Sequence, residues 1–425
     1  MRDIAVTLLF MVIIYYSLRK PFIGVSAWAW ITFAYPAGWA WGFSNNFRMN
    51  LTVVILTFVS YLFVKNKAKL QLDGITVLIL FLWVIALFSS LSSESLLNEI
   101  VWAKFEEFSK VLLFYFAITV VAYKKIHIDT LIWAIILSIS SYAGMEGIKF
   151  IASLGGHRIS GIEGYLLADR NDLAVAINMS LPLIIYLIGE VKHQWLRIGL
   201  IALLVLNIVA VIGTFSRAGF VGLFVISLYF FIRSNRKLLW SAIVATSLAV
   251  AVPFIPTEWT QRMDTVATVQ QDNSFIGRLW AWKISVKIAN DNVFGNGFFA
   301  SQDPIAWRIY KGAIDEFGGI KTPSVPDSVK PKAAHSIYFQ VLGDLGYLGL
   351  ALYLMILLGV FMRLNRVAKR AKQKGIEWCG NLSMLLTVSL VGYGVTGASV
   401  SLAYFDLIFA FIGISYVLKH RVLNG

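Results

Sequence analysis

Residues 196–232 read LRIGLIALLVLNIVAVIGTFSRAGFVGLFVISLYFFI, two long apolar runs separated only by a short turn that carries Arg217. An apolar run of this kind, repeated along a chain, belongs in a lipid bilayer. There it must be helical, because only a helix satisfies every backbone hydrogen bond within a single segment. Similar runs recur near 4–18, 22–41, 51–64, 74–91, 101–122, 128–152, 172–189, 239–254, 336–361, 382–399 and 403–418. Several fall short of the roughly 20 residues that a straight span needs. The expected fold is therefore all-α, a polytopic membrane protein with about twelve transmembrane helices.

Composition agrees. The chain has 425 residues, 58% of them hydrophobic and only 14% charged, and its mean hydropathy is +0.73. Fourteen Trp and seventeen Tyr suit belts at the membrane–water interfaces. The net charge of +14 reads as basic loops that orient helices rather than as a nucleic-acid surface. A single cysteine, Cys379, excludes an intrachain disulfide and a thiolate metal cluster. Residues 1–18 look like a signal sequence, but no small-x-small cleavage site precedes Arg19-Lys20-Pro21. They are read as a retained anchor.

The basic loops Lys65–Lys69, Lys124-Lys125, Lys192–Arg197, Arg233–Lys237, Arg363–Lys374 and Lys419–Arg421 fall on one side under simple alternation. The positive-inside rule makes that side cytoplasmic. Trp41–Asn50, Ser92–Glu99, Gly155–Asn171, Ser216-Arg217 and a loop of about eighty residues fall on the other. If both 4–18 and 22–41 span, the N-terminus lies outside; one of them is expected to be a partial or re-entrant element, which leaves both termini inside. Three regions follow: membrane helices in 1–254, one large extracytoplasmic loop in 255–335, and membrane helices in 336–425. Loops of that length between packed helices are uncommon unless they have a function.

Within that loop, Phe275 to Asn290 is expected to be helical. Phe275, Leu279, Trp282, Val286 and Ala289 share one face, and Trp280, Ile284 and Ile288 line another. Its two tryptophans suit a helix lying at the interface. Arg278 lies on this helix, at the depth where a lipid-linked substrate would be met, and Arg217 is a candidate ligand for phosphate, since a guanidinium fork matches phosphate oxygens bidentately. For Arg217 the other reading, snorkelling to outer headgroups, stays open. His335 is expected to begin the helix after the loop. It is a candidate general base, and a hydrogen-bonding residue at a helix start is its alternative. Arg158, Arg170 and His157 are lesser candidates for the same anionic site. His127, His193 and His420 fall at cytoplasmic loops. No zinc-type spacing, Asp-x-Asp or His-Glu-x-x-His occurs, so no metal and no cofactor is expected.

Several motifs occur in a telling order. Thr214-Phe215-Ser216-Arg217-Ala218-Gly219 comes first, then Gly277-Arg278 and Phe294-Gly295-Asn296-Gly297. His335-Ser336-Ile337-Tyr338 and Gly343-Asp344-Leu345-Gly346-Tyr347-Leu348-Gly349 follow. This series resembles the O-antigen ligase and polymerase superfamily of bacterial inner-membrane enzymes. Arg19-Lys20-Pro21-Phe22 and the Trp-rich Ala27–Trp41 resemble its O-antigen/O-glycosylation ligase branch. The resemblance implies a metal-independent glycosyltransferase with a C-type, all-helical membrane fold and a periplasmic active site. Its donor would be a glycan on undecaprenyl pyrophosphate and its acceptor a sugar hydroxyl of lipid A-core, as in lipopolysaccharide biosynthesis. His335 would be the base, and Arg217 and Arg278 would hold the pyrophosphate. Ser336 departs from the Asn that often follows the family's histidine, which bears on the hydrogen bonding around His335. A polymerase that lengthens the lipid-linked glycan, or a ligase for protein Ser/Thr or another surface polymer, fits the same donor. A transporter would carry ionisable residues within its helices and repeated halves, and the sequence shows few of the former and no evident repeat.

Overall fold

The computed structural model describes residues 2–39, 42–65, 67, 69–233, 273–315, 319 and 321–424. The described residues are helical with no strand. The expected apolar segment 239–254 lies outside them, as does the first part of the long loop.

The helices are α1 (Arg2–Arg19), α2 (Pro21–Ala34), α3 (Met49–Leu62), α4 (Gly74–Leu91), α5 (Asn98–Val121), α6 (Lys125–Ile135), α7 (Ser141–Ala152), α8 (Arg170–Glu190), α9 (Gln194–Gly213) and α10 (Arg217–Arg233). After the long connection come α11 (Asn273–Asp291), α12 (Pro304–Tyr310), α13 (Ile337–Gln373), α14 (Glu377–Thr396) and α15 (Asp406–Val417). A π-helical turn, Ile136–Ser140, joins α6 to α7 into one rod.

Six of these units are long and apolar enough to cross a membrane: Gly74–Leu91, Lys125–Ala152, Arg170–Glu190, Gln194–Gly213, Ile337–Gln373 and Glu377–Ser399. The sequence suggested about twelve. The difference lies partly in length. α2 and α3 have 14 residues each, about 21 Å at 1.5 Å per residue, against roughly 30 Å of hydrocarbon. α5 is long enough, but its residues 98–110 include Glu99, Lys104, Glu106, Glu107 and Lys110.

The centre of the fold is α14, packed between α8 and α13, while α13 also lies along α4 and α11. α13 has 37 residues and is broken at Gly346, where φ is 68° and ψ −173°. A Cβ at Gly346 would sit 2.2 Å from the Val293 carbonyl oxygen. Only glycine takes that conformation readily and also lets a second backbone pass so close.

The same interlock explains Gly295. Its φ is +75°, and a Cβ there would lie 2.5 Å from the Asp344 carbonyl oxygen. The Asn296 N–H donates to the Gly343 carbonyl at 3.1 Å. Ser89 of α4 donates to the Asp344 carbonyl at 2.5 Å and accepts the Gly297 N–H at 2.9 Å. The two glycine-rich motifs are thus one structural joint between α4, α13 and the segment after α11.

That segment has a small core of its own. Ile276, Trp280, Ala281, Ile284 and Ile288 of α11 pack with Ala300, Ala306, Trp307 and Ile314. Lys283 is buried beneath it and donates to the carbonyls of Ile314 (2.7 Å) and Asp315 (3.2 Å) and to Thr322 (3.0 Å). Trp282, on the other face, stacks on Phe339 of α13 with ring centres 4.8 Å apart. Both expected faces of α11 therefore contact protein.

Candidate active site

His335 does not begin a helix, contrary to expectation. α13 starts at Ile337 with Ser336 at its N-cap, and His335 precedes it with φ of +43°. A left-handed conformation is unusual for a non-glycine residue and costs of order 1–3 kcal/mol. It persists because both sides are pinned. The Ala334 N–H donates to Ser301 Oγ at 3.2 Å, and the Ala334 carbonyl accepts from Trp282 Nε1 at 2.6 Å. The His335 N–H donates to Ser401 Oγ at 3.0 Å. Ser401 belongs to the connection between α14 and α15, which Gln340 holds by accepting the Ala403 N–H at 3.1 Å.

The imidazole of His335 is half-buried. Its pKa lies below the ordinary imidazole value. Burial is the main cause, followed by the positive charge of Arg278, with Lys332 adding in the same direction and Asp169 opposing them. His335, Arg278, Lys332 and Asp169 therefore form one electrostatic neighbourhood, drawn from three separate parts of the chain: α11, the cap of α8, and the segment before α13. A histidine held neutral in this way can accept a proton at neutral pH.

Asp169 connects His335 to the arginine turn. It caps α8, its Oδ1 accepting the N–H groups of Asn171 (2.7 Å) and Asp172 (3.4 Å). Asn171 Oδ1 accepts from the Ser216 hydroxyl at 2.8 Å. Ser216 Oγ in turn accepts the Gly219 N–H at 3.1 Å and so caps α10. Further along α8, Asn178 Nδ2 donates to the Gly219 carbonyl of α10 at 2.9 Å. The helix starts of α8 and α10 are thereby tied together. Arg170 and Arg217 are the first residues of those two helices. Arg217 is exposed and Arg170 half-buried. Both sit where the N-terminal ends of helices favour anions. The turn itself is tight, since Phe215 has φ of +49°.

The lesser candidates divide. Arg158 is exposed, and the next residue, Ile159, donates its N–H to the Gly213 carbonyl at 2.9 Å, next to the arginine turn. His157 is engaged elsewhere. Its Nε2 lies 2.6 Å from Glu146 of α7, whose other carboxyl oxygen receives Lys149 at 2.6 Å. Of the histidines assigned to cytoplasmic loops, His127 is buried and stacked on Phe22 at 4.2 Å. His420 is also buried, bonded to Asp73 and Gln71.

Sequence reasoning missed Asp169, Lys332 and Ser401 as neighbours of His335. Asp169 carried a signal, being an N-cap residue before an apolar run. Asp303-Pro304, which starts α12 with a cap bond to the Ile305 N–H at 3.1 Å, carried another of the same kind. Lys332 and Ser401 carried none.

The structure thus places a half-buried histidine, with Arg278, Lys332 and Asp169 as its charged neighbours, at the ends of long apolar helices. Residues 200–354, which contain Arg217, Arg278 and His335, match the family model described as O-Antigen ligase. This supports membership of the O-antigen ligase family, and with it a multi-pass membrane protein of ligase or polymerase type. Residues 1–192 match a family of unknown function (DUF5935). No curated protein matches the chain.

Proposed function

We propose that the protein is an O-antigen ligase of the bacterial inner membrane. It transfers a glycan from undecaprenyl pyrophosphate to a sugar hydroxyl of lipid A-core at a periplasmic site. The observation that carries this reading is His335, held neutral beside Arg278, within a region that matches the O-antigen ligase family.

In the proposed reaction His335 takes the proton of the acceptor hydroxyl as its oxygen bonds to the anomeric carbon. The bond from that carbon to the pyrophosphate oxygen breaks, and its electron pair leaves with the lipid pyrophosphate. Attack from the face opposite the leaving group inverts the anomeric centre. Arg217 and Arg278 stabilise the charge growing on the pyrophosphate. Electrostatic stabilisation of that kind is usually the largest catalytic contribution, and a placed base adds about 10²–10⁴-fold. Arg170 and Arg158 extend the positive field at the start of α8 and beside the turn. With arginines in this role the reaction needs no divalent metal.

The test is transfer by purified protein in liposomes, supplied with the lipid-linked glycan, lipid A-core and EDTA. A glycosylated lipid A-core in the presence of EDTA is the expected product. Lengthening of the lipid-linked glycan instead would favour a polymerase, and loss of all product in EDTA would overturn the metal-free mechanism.

A further inference from the structure

Lys332 is placed as an anion ligand that the sequence did not single out. Its aliphatic stem runs along α11. Its Cγ, Cδ and Cε lie 3.7, 4.0 and 3.9 Å from where a Cβ would project at Gly277, the residue before Arg278. The segment that carries Lys332 ends at Ala334, held at both its N–H and its carbonyl, so the lysine starts from a fixed point. Its side chain is exposed, and its ammonium forms no hydrogen bond or ion pair among the described residues. Its charge nonetheless reaches His335.

Two cations beside a base weaken that base, and the carboxylate of Asp169 opposes them. An anion held beside both cations gains from their charge and lowers the positive potential at the base. We propose that Lys332 is a further positioning ligand for the pyrophosphate of the lipid-linked donor, acting beside Arg278. Donor binding then neutralises the charges facing His335 and makes it a stronger base only when the leaving group is in place. This inference rests on the function proposed above. A lysine is suited to the role as a compact point charge on a flexible stem, complementing the forked arginines.

The experiment uses the full chain in nanodiscs and compares wild type with Lys332→Ala and Lys332→Arg. Donor KM, acceptor KM, kcat and the pH profile of kcat/KM are measured, together with direct binding of undecaprenyl pyrophosphate. For Lys332→Ala the expected results are a donor KM raised about tenfold or more, an unchanged acceptor KM, and binding weakened to match. The acid limb of kcat/KM moves to higher pH, because the free enzyme's His335 has lost a neighbouring positive charge. Lys332→Arg recovers most of the affinity. A purely structural lysine would shift neither the donor KM alone nor the acid limb.

Active wild type with unchanged donor KM, binding and pH profile in Lys332→Ala overturns the inference and leaves the proposed function standing. Inactive wild type that binds undecaprenyl pyrophosphate through Lys332 overturns the function and leaves the anion site. Wild type that neither transfers nor binds overturns both.

Discussion

Gly346→Ala is the sharpest test of the joint beneath the candidate site. The new methyl meets two separate penalties. Gly346 has φ of 68° and ψ of −173°, a region open essentially to glycine alone, and forcing an L-residue there costs about 1–3 kcal/mol. The methyl would also lie 2.2 Å from the Val293 carbonyl oxygen and 2.9 Å from the Gly295 nitrogen. Both are backbone atoms that cannot rotate away, and overpacking of this kind costs about another 1–3 kcal/mol. The expected total is about 2–6 kcal/mol, a factor of roughly 30 or more in the folding equilibrium. Gly380→Ala is the control. It lies in the regular helix α14, and its methyl would meet its nearest neighbours at 3.6–3.9 Å, ordinary contact distances. It should be neutral or stabilise by up to about 1 kcal/mol. Thermal unfolding of both variants in detergent, followed by tryptophan fluorescence, reads the difference. Gly346→Ala unfolding at the wild-type temperature would refute the broken helix and the interlock with residues 293–297.

Four further predictions concern charged groups. Asp73→Ala should destabilise by about 3–5 kcal/mol, since Arg363, 5% exposed, loses its 2.5 Å partner, and Asp73→Ala/Arg363→Met should recover more than half of the loss in the same unfolding assay. Burial pushes the Asp73 carboxyl up, but the Arg363 charge and the His420 hydrogen bond outweigh it and hold the group well below the usual carboxylate range. Its stabilisation is therefore complete above about pH 3.9 and is lost as pH falls towards the lower native value, so wild type should lose more thermal stability than Asp73→Ala on acidification below pH 4. Because burial, Arg278 and Lys332 keep His335 neutral, half-maximal kcat/KM on the acid side should lie below about pH 6.5; a limb at or above that value would show that another group limits the reaction. Arg217→Lys keeps the charge but loses the bidentate fork, and should lower kcat/KM for the lipid-linked donor about tenfold or more while leaving the unfolding temperature unchanged.

The helical character of the chain was legible because lipid-facing runs admit few alternatives. The break between α9 and α10 at Arg217 was equally plain, two apolar runs meeting at Thr214-Phe215-Ser216. The α11 helix appeared with both its faces, Trp280, Ile284 and Ile288 on one side and Trp282 on the other. What escaped the sequence is tertiary. Glycine within an apolar helical run says nothing about its φ, so the break at Gly346 was hidden. That His335 stands outside α13 depends on Ser301, Trp282 and Ser401, which hold residues 334 and 335 from three different segments. The grouping of Asp169 and Lys332 around His335 likewise has no local signature. Among the described residues six helices are long and apolar enough to span, and short helices such as α2 and α3 look apolar in the sequence but fall well short of the bilayer thickness.

The most direct test of the central proposal is His335→Ala, assayed with purified full-length protein in liposomes for both glycan transfer and binding of the lipid-linked donor. Transfer reduced by about 10²-fold or more with donor affinity retained is the expected result, and would place His335 at the chemistry. Transfer close to wild type would contradict its role as the base.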